Sequence, residues 1–170
     1  MAYEHEPPPA PKMQPRAAFY QYQVIGMLII VLIPVLALAG VFGTRTGSVD
    51  VASETLALTV KYPEIFRYKT VEPFMITAEN ISEQPQEVVV TIDVAYLSQF
   101  SNVQFTPEPD KITDEEYIFR LGTLETGGEA LIAGEIESEQ YGQLKGTVAA
   151  YVGTTTPPEV RTELETISLP

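Results

Sequence analysis

The chain has 170 residues and a formal net charge of −13, with no cysteine, no tryptophan and a single histidine, His5. Without thiols there are no disulfides, thiolate-bound metals or iron–sulfur clusters, and one tail histidine supplies no imidazole set for zinc, copper or haem; no cofactor is expected. Residues 1–44 balance Lys12 and Arg16 against Glu4 and Glu6, so the whole excess, 8 basic against 21 acidic side chains, falls on residues 45–170. A surface of that sign repels phosphate backbones, and nucleic acid is not an expected partner.

Residues 1–16, MAYEHEPPPAPKMQPR, carry five prolines and few large apolar residues. Such a stretch cannot bury enough surface to offset its ordering entropy, and a disordered tail is expected. The PPPAP run fits an aromatic groove as a polyproline helix, but a solvated tail is the simpler expectation.

The stretch Val24–Phe42 is free of charge, and thirteen of its nineteen residues are Val, Ile, Leu or Phe. At about 1.5 Å per residue it reaches roughly 28 Å as a helix, close to a bilayer's hydrocarbon core. Residues 17–43 are therefore read as a transmembrane helix with an interfacial belt of Phe19, Tyr20 and Tyr22, whose rings suit the headgroup level. Pro34 removes one helical hydrogen bond and is expected to kink the helix. Ala39 and Gly43, spaced i, i+4 with Gly40 beside them, are candidate contacts for a neighbouring helix, because small residues let backbones approach. A second reading competes: Ala37-Leu38-Ala39 before Gly40 fits a signal-peptide cleavage site, which would release a soluble domain after Ala39. The Pro-rich leader is longer and less basic than a usual n-region, and the retained anchor is the expectation. Lys12 and Arg16 before the helix, together with the short tail, place the N-terminus in the cytoplasm and the domain outside it, on the periplasmic side.

Thr44–Asp50 reads as a short linker. From Val51 to Pro170 the hydrophobic period is two. Leu56, Leu58, Val60 and Tyr62 alternate with polar or small residues until Tyr62-Pro63 ends the run. Phe74–Asn80 follows, then Glu87–Tyr96, with Val88, Val90, Ile92, Val94 and Tyr96 on one face. Further strands are expected at Val103–Thr106, Glu116–Leu124, Glu129–Glu137, Leu144–Val152 and Glu159–Leu169. Seven to eight short strands separated by turn residues predict an all-β antiparallel sandwich, immunoglobulin-like or fibronectin-like, with a small barrel or jelly roll as runner-up. In architecture alone the plan resembles the membrane-tethered immunoglobulin-like modules of bacterial envelopes.

Candidate chemistry is sparse. Glu108, Asp110, Asp114, Glu115 and Glu116 cluster in one stretch, and a carboxylate loop can bind calcium, yet EF-hand spacing is absent and Lys111 interrupts it. A solvated acidic loop is the leading reading, with no metal site. Asn80-Ile81-Ser82 matches a glycosylation sequon. Phe100 and Phe105 flank a loop-like stretch as either an exposed contact patch or buried packing. No nucleophile, base or paired carboxylates stand out, and no enzyme is expected. The expected role is a noncatalytic accessory or structural subunit, with the lipid bilayer and an integral membrane protein complex as partners. The alternative is a stand-alone surface or periplasmic module of adhesion type.

Overall fold

A computed structural model describes residues 17–38, 40, 43–153 and 157–170. Two compact units divide the chain, one ending at Phe42 and the other starting at Gly43. The first holds helix α1, Ala17–Leu38, which runs through Pro34. Its stretch Tyr20–Leu38 is long and apolar enough to cross a membrane, and no residue of it is buried.

The second unit is mostly β. Its elements are β1 (Arg45–Ala52), β2 (Leu56–Arg67), β3 (Val71–Asn80), β4 (Gln86–Asp93), the short helix α2 (Val94–Leu97), β5 (Phe100–Thr106), β6 (Lys111–Ile112), β7 (Glu116–Leu124), β8 (Glu129–Ser138), β9 (Gly142–Val152) and β10 (Val160–Leu169). Among the described residues ten strands therefore stand where seven to eight were expected. They form one hydrogen-bonded path, β5-β8-β3-β2-β10-β9-β4-β7-β6, with β1 paired to β2. The path curls on itself. Phe105 of β5, at one end, meets Phe119 of β7, near the other, with ring centroids 5.3 Å apart and planes at 81°.

Three local expectations are corrected. The stretch Thr44–Asp50, read as a linker, is largely strand β1, in register with β2 from Ala52↔Ala57 to Thr46↔Pro63. Its Gly47, Val49 and Val51 alternate with Thr46, Ser48 and Asp50, a period-two signal that Gly-Ser had masked. Pro63 does not end its strand. β2 pairs with β3 only over Leu56–Lys61 and with β10 only over Ile65–Arg67. Pro63 lies in the gap, where its missing N–H leaves neither of those ladders short of a bond. The β10–β2 pairing is parallel, against the all-antiparallel expectation.

The run Glu87–Tyr96 is not one strand. It stops at Asp93, whose carboxylate accepts a hydrogen bond from Ala95 N at 2.7 Å and caps the turn of α2. Val94 and Tyr96 thus leave the strand face, although Tyr96 is still fully buried.

The inner faces carry the core. Leu56, Leu58 and Val60 of β2, Phe74, Ile76 and Ala78 of β3, and Val88, Val90 and Ile92 of β4 are all buried, following the alternation read from the sequence. A chain of rings crosses this core: Phe66–Phe100, Phe100–Tyr96, Tyr96–Phe74, Phe74–Phe105 and Phe105–Phe119, with centroids 5.0–6.4 Å apart. Phe66–Phe100 is stacked at 27° and the other four are tilted or edge contacts, arrangements that suit the ring quadrupoles. Phe100 and Phe105 are therefore packing residues and not a contact patch.

Tyr96 also carries a polar anchor. Its hydroxyl and that of Thr166 lie 2.9 Å apart in a buried pair. Burial pushes the phenol far above the usual tyrosine range; the Thr166 bond lowers it by less, and Tyr62 raises it further. Below about pH 10 the phenol is protonated in both the folded and the unfolded chain. Above that the unfolded chain ionises while the folded one holds its proton, so stability falls with rising pH, by about 1.4 kcal/mol per pH unit from this group. Tyr96→Phe should cost about 1–3 kcal/mol at neutral pH, because it strands the Thr166 hydroxyl in the core. It should also flatten the alkaline loss. Urea titrations of both proteins at pH 8 and above pH 10 read both effects.

Candidate functional site

The sequence candidates scatter when placed on the fold. The acidic stretch lies around β6 and the start of β7, and its members turn to separate tasks. Asp110 Oδ2 accepts from Arg120 N at 2.6 Å, tying the β6–β7 hairpin. Glu116 Oε1 accepts from Thr91 Oγ1 at 3.2 Å. Glu108, Asp114 and Glu115 are exposed. Among the described residues no group of three or more His, Cys, Asp or Glu side chains is placed to hold a metal ion.

Asn80 is fully buried. Its Nδ2, the atom a glycan would occupy, donates to Gln84 O and Leu124 O, each at 2.8 Å. Its Oδ1 accepts from Ser82 N and Ser82 Oγ. Every polar group of the side chain is used, three bonds closing the β3–β4 turn and one tying it to the end of β7, so the sequon serves the turn in the folded chain.

In the helical unit, Tyr20 and Tyr22 are exposed. Phe19 is helical, and its side chain lies outside the described residues, as does Ala39. Gly40 has φ of +76°, and its N–H donates to Ala37 O at 3.1 Å. That is how a helix stops, with glycine in the left-handed region past the last turn. Gly43 sits in a bend beyond the helix. The i, i+4 spacing of Ala39 and Gly43 puts them on one face only where both are helical, and α1 ends at Leu38. Gly40 is thus accounted for by helix termination before any packing role.

One feature has no forerunner in the sequence. A hollow of about 250 Å³ opens on the outer face of β4, β9 and β10, lined by Thr91, Asp93, Glu115, Glu116, Thr147 and Arg161 among others. It follows from the register: Thr91 pairs with Ala149, and Ala149 with Arg161, so two small side chains make a dip across the sheet. Arg161 Nη2 reaches Thr147 Oγ1 at 3.5 Å. The lining is polar and of mixed sign, with three carboxylates and one guanidinium. It offers hydrogen bonds and one hydroxyl–carboxylate contact, Thr91 to Glu116, but no cysteine or histidine. Its residues are far apart in the chain, and no local pattern announces them.

The class that emerges is a single apolar helix followed by a curled, mostly-β domain. No protein-family model matches the chain, and no curated protein matches it in sequence. Among solved structures, the chain is similar to the CARDB domain of the PF1109 protein from Pyrococcus furiosus, solved in complex with di-metal ions: 10% identity over 71% of this chain and 95% of that one, with a TM-score of 0.44. It is also similar to the alkylpurine DNA glycosylase AlkC of Pseudomonas fluorescens, solved bound to DNA containing an abasic site analog: 17% identity, TM-score 0.34, covering 62% of this chain and 28% of that one.

Proposed function

We propose that this protein is a noncatalytic, membrane-anchored accessory or structural subunit of a larger membrane protein complex, with its β domain docked on the extracytoplasmic face. The observation that carries the reading is α1: nineteen residues, Tyr20–Leu38, without a charge, apolar from Val24 onward and with none buried. A helix apolar on every side finds its solvent in lipid or among other helices. The β domain holds its own core and needs no help from the helix to bury it.

Within this proposal the β domain is a two-layered sandwich of immunoglobulin-like type. Support comes from β2, which leaves β3 after Lys61 and takes up β10 in parallel from Ile65. One strand that changes neighbours in this way divides the path into two groups, and the Phe105–Phe119 contact joins their inner faces. Lys12 and Arg16 ahead of the helix favour a cytoplasmic tail.

The test is purification of the full-length chain in mild detergent, with identification of co-eluting proteins. A stoichiometric membrane complex is the expected result. A variant with residues 24–38 replaced by leucine should still insert, since leucine favours the bilayer, but should lose the complex if the helix contacts neighbours. A monodisperse lone protein from native membranes overturns the subunit reading and favours a stand-alone module. A mature N-terminus at Gly40 overturns the anchor.

A further inference from the structure

We propose that the outer face of β3, β8 and β5 is a docking surface for an amphipathic helix of a partner protein, apolar at its centre and carrying Lys or Arg at both ends. The proposal rests on the subunit reading above for the existence of a partner, and adds which face of the β domain meets it and by what chemistry.

The face is set by register. Phe74, Ile76 and Ala78 of β3 lie in the core, so Val71, Pro73, Met75, Thr77 and Glu79 alternate outward. Met75 pairs with Ala133 of β8 and Thr77 with Leu131, and Ala133 pairs in turn with Thr106 of β5. The middle of the face is therefore a band without charge. Leu131 is 53% exposed and Met75 39%. Pro73, Met75, Ala133 and Thr106 also line a hollow of about 400 Å³, open to an incoming apolar side chain. Side chains of this kind gain by leaving water, which a helix laid over them provides. β3 and β8 are paired along both edges, so their backbone groups are taken and the contact is made through side chains, as a helix makes it.

Charge selects the occupant. Glu79 and Glu129 stand directly opposite each other at one end of the band. At the other end Glu135 and Glu137 take alternate positions of β8. Like charges so placed repel. Among the described residues the ion pairs are Arg45–Glu64 and Lys145–Glu165, and neither serves these four carboxylates. β3, β8 and β5 contain no Lys or Arg, and Lys61 of β2, paired with Met75, is the one cation their ladders bring beside them. The opposite face differs, because β7, β9 and β10 carry Arg120, Lys145 and Arg161 among its carboxylates. From Glu129 to Glu135 the strand covers roughly 20 Å, the length of about thirteen helical residues. A helix with cations that far apart and apolar side chains between them meets both acidic ends at once.

The test uses the full-length chain in its native membranes. The photo-crosslinker benzoylphenylalanine is placed at Leu131 or, on the opposite face, at Gln143, and the cross-linked partner segment is sequenced. Position 131 should capture one segment with apolar residues between Lys or Arg at both ends, and position 143 should not reach it. Glu135→Lys with Glu137→Lys should lower the yield of co-purified complex about tenfold or more, since like charge then meets like. Glu163→Lys with Glu165→Lys, the same change of charge on β10, should alter it by less than about twofold. Glu135→Gln with Glu137→Gln should give a smaller loss in the same direction and replaces the lysine variant should that one fail to fold. If the wild-type complex survives the changes at 135 and 137, or position 131 captures an acidic or uncharged segment or none, the docking proposal falls while the subunit reading stands. If the wild type yields no complex, the subunit reading falls and takes the proposal with it.

Discussion

Gly146→Ala should cost the β domain about 3 kcal/mol, at the upper end of what overpacking a core exacts. A Cβ at position 146 would stand 2.3 Å from both Cβ and Cγ of Tyr96 and 2.7 Å from its Cδ2. None of those atoms is the free end of a flexible chain. The Tyr96 ring is fully buried, held by Phe100 on one side and Phe74 on another, and its hydroxyl is tied to Thr166. To admit the methyl group, α2 would have to lift away from β9. Interiors packed at crystal density do not absorb such a shift cheaply. Thermal unfolding of wild type, Gly146→Ala and the exposed neighbour Lys145→Ala checks this. Lys145 has one ion pair, with Glu165 at 3.9 Å, and both side chains are more than half exposed. Lys145→Ala should therefore change stability by no more than about 0.5 kcal/mol. An unchanged melting temperature for Gly146→Ala would mean that Tyr96 does not pack on β9.

The second large effect is electrostatic. Val90→Asp or Ile92→Asp should each cost about 3–5 kcal/mol, the range for an uncompensated charge left in an interior. Both residues are completely buried. Val90 stands between Phe119 of β7 and Ala150 of β9, and Ile92 between Tyr117 and Val148. None of these neighbours offers a side-chain cation. A loss of that size is a large part of the total stability of a domain this long. Val89→Asp is the control on the other face. Val89 is only half-buried, so its carboxylate can turn toward water and the cost should be much smaller. Urea unfolding of the three variants gives the comparison, and equal losses would mean that β4 is buried on both faces.

Much of the β domain was legible because strand burial has a period of two and is written locally. Val88, Val90 and Ile92 lie inside as their alternation required, and so do Leu56, Leu58 and Val60. The bounds Glu116–Leu124 emerged unchanged, since polar and glycine-rich turns flank them. What failed had no local signature. Tyr62-Pro63 looked like a stop because a proline inside a strand usually breaks a ladder, and nothing nearby says that β2 changes neighbours there. Tyr96 continued the alternation of β4, yet Asp93 capped a helical turn ahead of it. Such a cap competes with the strand only through its fit to the surrounding core.

Composition and local pattern by themselves determined the two-part plan, an apolar helix and then a β domain. They also determined the buried face of β2, β3 and β4, because transfer out of water acts on each residue separately. Pairing was decided only by the tertiary structure. The order β5-β8-β3-β2-β10-β9-β4-β7-β6 joins Phe74 to Phe105, Tyr96 to Gly146 and Thr91 to Arg161. Any strand with the right face could have paired with several others. The choice fell on the arrangement in which the rings interlock and a glycine makes room for Tyr96. Both are matters of shape between segments distant in the chain, where local sequence carries no signal.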